Sequence, residues 1–265
     1  MNPARKPAAF PAPILRAPAA TVAAARWTII VVASLAAILP FVTGCNDDSP
    51  GKPGGDDYNP VIDPDSFVTV IDNPYLTLTP GTTYIYEADS DGESERNEVA
   101  VTHETKEILG VTCVVVWDRV WVDDELAEAT YDWYAQDSDG NVWYFGEDSK
   151  EYEDGVVVST EGSWEAGVDD AKPGIVMEAD PTVGDSYRQE YYEDEAEDMA
   201  KVLSLTETVT IGLGTYENCL KTKEWTPLEP GVSEHKYYAP GVGLILEEVA
   251  TGGEGRNELV EIVTE

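Results

Sequence analysis

The chain has 265 residues, enough for one large domain or two small ones, and 16 basic against 52 acidic side chains give it a formal charge of -36. A surface this anionic repels phosphate backbones and anionic headgroups, which excludes nucleic acid as a partner. Hydrophobic residues at 42%, with 7 Trp and 14 Tyr, exclude a disordered acidic tail, which lacks aromatics.

Residues 1–44 read as an export signal. A basic stretch ends at Arg26, and an apolar run follows from Trp27 to Val42. That run has the length of a signal core and is short for a membrane span of roughly 20 residues. It ends in Val42-Thr43-Gly44-Cys45, which resembles the bacterial lipobox: an aliphatic residue, two small ones and a cysteine. The resemblance implies cleavage before Cys45 and diacylation of its sulfur, leaving Cys45 as the mature N-terminus. Removing 1–44 leaves 12 basic against 52 acidic side chains, a charge of -40. Residues 45–62 carry the run NDDSPGKPGGDDYNP, which cannot bury enough apolar surface to fold and is expected to act as a flexible tether. Two acyl chains anchor stably, at roughly 0.8 kcal/mol per buried methylene. The expected location is the cell envelope, with the membrane reached through the N-terminal lipid. In lipoproteins of this kind Asp after the cysteine signals inner-membrane retention. Asn46 stands there instead, which points to the outer membrane or its periplasmic face in a Gram-negative cell, and otherwise to the extracellular face of the plasma membrane.

From Asp63 to the end at Glu265 the pattern is strand, turn, strand. The predicted strands are Phe67–Ile71, Thr83–Glu87, Glu98–Thr102, Cys113–Val122, Thr130–Ala135, Val142–Phe145 and Val156–Thr160, followed by Ser186–Tyr191, Thr206–Ile211, Leu220–Trp225, Glu234–Tyr238, Leu244–Val249 and Glu258–Val263. They are short, rich in Val, Thr, Tyr and Trp, and broken by Gly, Asp, Asn or Pro. Asp91-Gly92, Asp139-Gly140 and Asp154-Gly155 are hairpin signals, because a tight turn needs positive φ. One helical pattern stands out over Glu193–Leu203, where Ala196, Met199, Ala200 and Leu203 fall at i, i+3, i+4 and i+7, although Glu193 to Asp198 equally suit an acidic strand edge. The absence of helical runs between strands argues against a parallel α/β sheet. The expected domain, 63–265, is all-β: a single antiparallel, curved, half-barrel-like sheet.

With Cys45 acylated, Cys113 and Cys219 remain as an even pair in an exported chain, and a structural disulfide is expected between them. It would close a loop of about 100 residues, for which chain entropy gives roughly 4 to 5 kcal/mol. Asp137, Asp139 and Asn141, with Asp148 downstream, place oxygen ligands in the alternation that a calcium loop uses. The glycine falls early and no helix flanks the loop, so a hairpin turn is the favoured reading, with weak Ca2+ binding as an optional addition and no other cofactor. The run Glu190, Glu193, Asp194, Glu195, Glu197, Asp198 reads as a solvated edge that discourages aggregation. His103 and His235 read as surface strand residues, and no GxSxG, HExxH, P-loop or dinucleotide fingerprint is present. Aromatic strands such as YDWYAQ and NVWYFGE are expected to supply core, or else to line a concave ligand face.

The stretches Thr112 to Gly155 and Gly214 to Glu248 resemble the centre and C-terminal half of a group of β-rich secreted bacterial lipoproteins to which no activity is attached. In such envelope proteins an aromatic-x-Ala-Pro-Gly-x-Gly turn links two late strands, and Tyr238, Pro240, Gly241 and Gly243 match it. The resemblance implies a curved antiparallel sheet and a structural turn, with no catalytic residue. Two functions follow as expectations. The first is a lipid-anchored, non-catalytic binding or structural module for an envelope protein, a polymer or a small hydrophobic ligand. The alternative is an exported hydrolase or calcium-binding protein that uses an acidic site.

Overall fold

The computed structural model describes residues 58–90 and 93–265. The signal segment, the lipobox with Cys45, most of the expected tether and the Asp91-Gly92 turn signal lie outside the described residues. Tyr58, on the tether side of the expected boundary, packs onto the domain. Its hydroxyl donates to the Pro173 carbonyl at 2.8 Å, and its own carbonyl accepts from Lys172 Nζ at 2.6 Å.

The domain is all-β, with only a 3-10 turn at Pro64–Ser66 among the described residues, and no helix long and apolar enough to cross a membrane. In chain order the first strands are β1 (Phe67–Val68), β2 (Ile71–Asn73), β3 (Leu76–Leu78), β4 (Thr82–Ser90), β5 (Glu93–Ile108), β6 (Val111–Val122), β7 (Glu125–Asp137), β8 (Val142–Glu153) and β9 (Val156–Ser159). The rest are β10 (Trp164–Glu165), β11 (Lys172–Met177), β12 (Ser186–Arg188), β13 (Glu190–Tyr191), β14 (Met199–Ile211), β15 (Gly214–Trp225), β16 (Ser233–Ala239), β17 (Gly243–Thr251) and β18 (Arg256–Thr264).

One antiparallel sheet runs in the order β12-β14-β15-β16-β17-β18-β4-β5-β6-β7-β8-β11-β13, nearly closed into a barrel. The two ends of the path are drawn together by a single segment. Its first half, Ser186 to Arg188, pairs with Lys201 to Met199, and its second half pairs Glu190 with Pro173 and Tyr191 with Lys172. Gly174 permits that crossing, because a Cβ there would collide with the Gln189 and Arg188 backbone.

The β2–β3 hairpin packs across one end of the barrel. Gln136 holds it by accepting from the Asp72 and Asn73 amides, both at 2.9 Å, and Tyr84 Oη donates to the Thr77 carbonyl at 3.0 Å. Strand alternation divides the apolar residues into two cores. The inner one fills the barrel with Tyr86, Val101, Val116, Leu220, Ile245 and Leu259. The outer one lies on the far face of β6, β7 and β8, where Trp133, Phe145 and Trp164 are covered partly by Ile62 and Phe67.

The helical pattern over Glu193–Leu203 is not realised. Glu193 to Glu195 turn a tight loop closed by the Tyr192–Ala196 bridge, and Met199 onward is β14. β14 buries Ala200 and Val202 near its start and Val209 and Ile211 at its end, with bulges between that shift the phase, and its pairing with β15 outweighs two helical turns of matches.

Candidate functional site

Inside the barrel, inward positions are not uniformly apolar. In β5 the inward series is Glu95, Asn97, Val99 and Val101, in β6 it is Val114, Val116, Asp118 and Val120, and in β7 it is Glu128, Thr130, Asp132 and Tyr134. Register stacks these groups side by side: Val99 opposite Asp118, Asp118 opposite Thr130, and Asp132 opposite Glu147. On the other wall Lys236 of β16 stands between Thr222 and Glu247, and Glu247 is opposite Asn257.

These side chains line a partly open cavity of about 170 Å³. Leu76, Val99, Val176, Val242 and Leu244 give it apolar wall, and the rings of Tyr84, Tyr86, Tyr134, Tyr144 and Tyr238 line it as well. Seven carboxylic acids face it, Asp118, Glu128, Asp132, Glu190, Asp198, Glu224 and Glu247, against one cation, Lys236.

Lys236 is 6% exposed, with its ammonium 3.1 Å from Glu224 and 3.6 Å from Glu247. Burial opposes its charge, but Glu224 and Glu247, with Tyr238 and Glu234, together outweigh burial and hold its pKa well above the ordinary lysine value. Glu224 also accepts from Thr222 Oγ1 at 2.7 Å and from Tyr238 Oη at 3.0 Å. Beside this cluster burial, reinforced by Glu247, pushes Glu234 up to about 9, which makes it a neutral acid at neutral pH.

Among the described residues the opposite wall has no cation. Asp132 accepts from Tyr144 Oη at 2.7 Å, Asp118 accepts from Asn97, and Glu128 accepts from Thr130 Oγ1 at 2.8 Å. Burial raises all three; repulsion from Asp132 and Glu128 adds to it at Asp118, from Glu128 at Asp132, and from Glu151 at Glu128. Glu190 is 0% exposed and its Oε2 accepts from Trp164 Nε1 at 3.0 Å, while its Oε1 has no hydrogen-bond partner. Glu147, at 1% exposure, has no partner on either oxygen. Burial, then Asp132 and Glu190, push it well above the carboxylate range.

Of the residues singled out from the sequence, Glu190, Asp198, Tyr238 and Gly243 line the cavity, whereas the calcium candidates sit elsewhere. Asp137, Asp139 and Asn141 form the β7–β8 turn. Asp137 Oδ1 accepts from the Asp139 and Asn141 amides at 3.0 and 2.9 Å, and its Oδ2 from Asn141 Nδ2 and Trp143 Nε1, both at 2.8 Å. Asn141 Oδ1 accepts from the Ala179 amide at 2.9 Å, and Asp148 pairs with Lys150 at 2.8 Å farther along β8. Among the described residues no group of three or more His, Cys, Asp or Glu side chains is arranged to hold a metal ion.

The expected Cys113–Cys219 bridge is absent, and both are free, buried thiols. Cys113 belongs to the outer core and Cys219 to the inner one, and β16, β17, β18, β4 and β5 separate their strands in the sheet. A disulfide needs Cα atoms about 4.4–6.8 Å apart, which this placement denies. The acidic run also divides: Glu193, Asp194 and Glu195 are exposed, whereas Glu190 and Glu197 are buried, so it is not a wholly solvated edge. The Tyr238–Gly243 segment makes the β16–β17 turn, with Gly241 at φ 76° and Gly243 at φ 107°, and the Gly241 amide donates to Pro74 at 2.7 Å. The lumenal acids Asp118, Glu128 and Asp132 were missed. Their signal lies in strand phase, since each sits two residues from an inward neighbour (Val116, Thr130 and Tyr134).

The sequence matches no protein-family model and no curated protein. Two solved structures show a likeness to part of this chain. One, from Bacteroides fragilis, is described as an exported protein with a YmcC-like fold; it shares 16% identity at a TM-score of 0.43 and covers 70% of this chain and 97% of its own. The other, described as a lipoprotein from Parabacteroides distasonis, shares 12% identity at a TM-score of 0.37 over 70% of this chain and 96% of its own.

Proposed function

We propose that this chain is a lipid-anchored protein of the cell envelope whose barrel takes up a small ligand without transforming it. The observation that carries the reading is the cavity of about 170 Å³ in the middle of the barrel, walled by aliphatic side chains and tyrosine rings. A cavity of roughly 150 Å³ accepts a molecule the size of benzene. The anchoring half of the reading is supported by Val42-Thr43-Gly44-Cys45 directly behind an apolar run.

Each half has its own test. Palmitate labelling in cells should mark the wild-type chain and not Cys45→Ser, and label retained in the variant would remove the lipid anchor from the proposal. For the cavity, saturation-transfer NMR with benzyl alcohol on the full chain in lipid nanodiscs should show contact that Val99→Phe, which fills the lumen, abolishes. Contact that survives Val99→Phe unchanged would place the ligand outside the barrel and defeat the reading.

A further inference from the structure

We propose that the barrel lumen is a site for a small organic cation, an ammonium group carried on an apolar or aromatic body. The inference rests on the reading of the lumen as a ligand site and names its substrate class. Glu224 and Glu247 already neutralise Lys236, which leaves the acids of the opposite wall without a cation. A carboxylate oxygen out of contact with water and without a donor is costly, and Glu190 Oε1 is such an atom, in a residue 0% exposed that faces the cavity. An N+–H group in the lumen supplies both the missing donor and the missing charge.

The tyrosines select the kind of cation. Tyr84, Tyr86 and Tyr144 donate their hydroxyls to the Thr77 carbonyl, the Leu244 carbonyl and Asp132. What they offer a ligand is therefore the ring, and Tyr134 stacks on Tyr144 with centroids 4.9 Å apart. Aromatic faces beside carboxylates recognise organic ammonium groups through cation–π attraction. A divalent metal instead needs several converging oxygens, and Asp132, Asp118 and Glu190 each have one oxygen engaged by Tyr144, Asn97 and Trp164. At longer range the mature charge of -40 concentrates cations at the protein and repels anions.

Calorimetric titration of the full chain in lipid nanodiscs, with empty nanodiscs subtracted, compares three probes of similar shape: benzylammonium, benzyl alcohol and benzoate. At about pH 8 benzylammonium should bind on the order of tenfold tighter than benzyl alcohol, and benzoate should give no heat. Glu190→Gln should weaken benzylammonium by about tenfold and leave benzyl alcohol within about twofold. Asp132→Asn, which keeps an acceptor for Tyr144, provides the same comparison where Glu190→Gln does not fold. Benzyl alcohol binding as tightly as benzylammonium would overturn the cation assignment while leaving the lumen as a ligand site. No binding by any probe would overturn both. Displacement of benzylammonium by calcium or magnesium, but not by sodium at equal ionic strength, would overturn the organic cation in favour of a metal.

Discussion

Replacing Glu147 by methionine should stabilise the protein, and increasingly so as pH rises. Glu147 is 1% exposed and neither carboxyl oxygen has a hydrogen-bond partner. Methionine has similar length, fills irregular space and brings no polar group that needs satisfying. Removing an unpaired buried polar group relieves about 1–3 kcal/mol. For a domain of about 200 residues that corresponds to roughly 2–12 °C in Tm.

The pH dependence follows from linkage. Burial, with Asp132 and Glu190, raises the Glu147 pKa in the fold above its unfolded value. A group raised in this way contributes stability that is complete below the ordinary carboxylate range and is lost as pH climbs through the folded value. Methionine has no such contribution to lose, so the gap between variant and parent widens with pH. Other buried acids give both proteins a common slope: Glu95 is pushed up to about 7, Asp198 to about 6 and Glu234 to about 9, all by burial first. Their stability is present below about pH 4 and is lost up to about pH 9, so both proteins melt lower in alkaline buffer. Scanning calorimetry of the full chain at about pH 5 and about pH 8 measures the difference. A variant that melts below its parent at both values would refute the reasoning, because it would mean that the Glu147 carboxylate is held by a favourable partner.

Three further outcomes are expected. Gly146→Ala should cost about 2–5 kcal/mol in chemical denaturation, since Gly146 has φ 127° and an added Cβ would strike the Trp164 carbonyl oxygen; an unchanged midpoint would contradict the close approach. Cys113 and Cys219 should resist alkylation in the native protein and both react in denaturant without reductant, because both are fully buried and burial lifts the Cys113 thiol up to about 12; a disulfide-linked peptide would contradict this. Calcium should raise Tm only modestly, with magnesium nearly equal at matched ionic strength, since screening of the chain's charge of -36 is shared by both ions; a saturable calcium-selective shift abolished by Asp137→Asn with Asp139→Asn would make the β7–β8 turn a metal site.

Strand chemistry is local, and it was legible. Val-, Thr- and Tyr-rich runs separated by Asp-Gly and Pro-Gly turns specify an all-β domain, because tight turns need particular φ values and pleated strands favour branched and aromatic side chains. Asp139-Gly140, Asp154-Gly155 and the Pro240-Gly241 segment each lie at a hairpin of the structure, between β7 and β8, β8 and β9, and β16 and β17. Glu193–Leu203 misled because Ala196, Met199, Ala200 and Leu203 satisfy a helical period over a stretch too short to outweigh pairing with β15.

The interior was a matter of tertiary structure. Among 52 acidic residues, nothing local separates Glu147 and Glu190 from the exposed Glu193. Whether a carboxylate meets water depends on which face its strand turns inward, and a one-residue change of register would exchange the two faces. The same holds for the cysteines: their even count suggested a bond, but the order of strands in the sheet put Cys113 and Cys219 in different cores. Composition and turn chemistry thus determined the kind of sheet, because they act between near neighbours in the chain. Closure through Ser186 to Tyr191 determined which acids share a lumen with Lys236, because only the folded sheet brings strands so distant in sequence around one cavity.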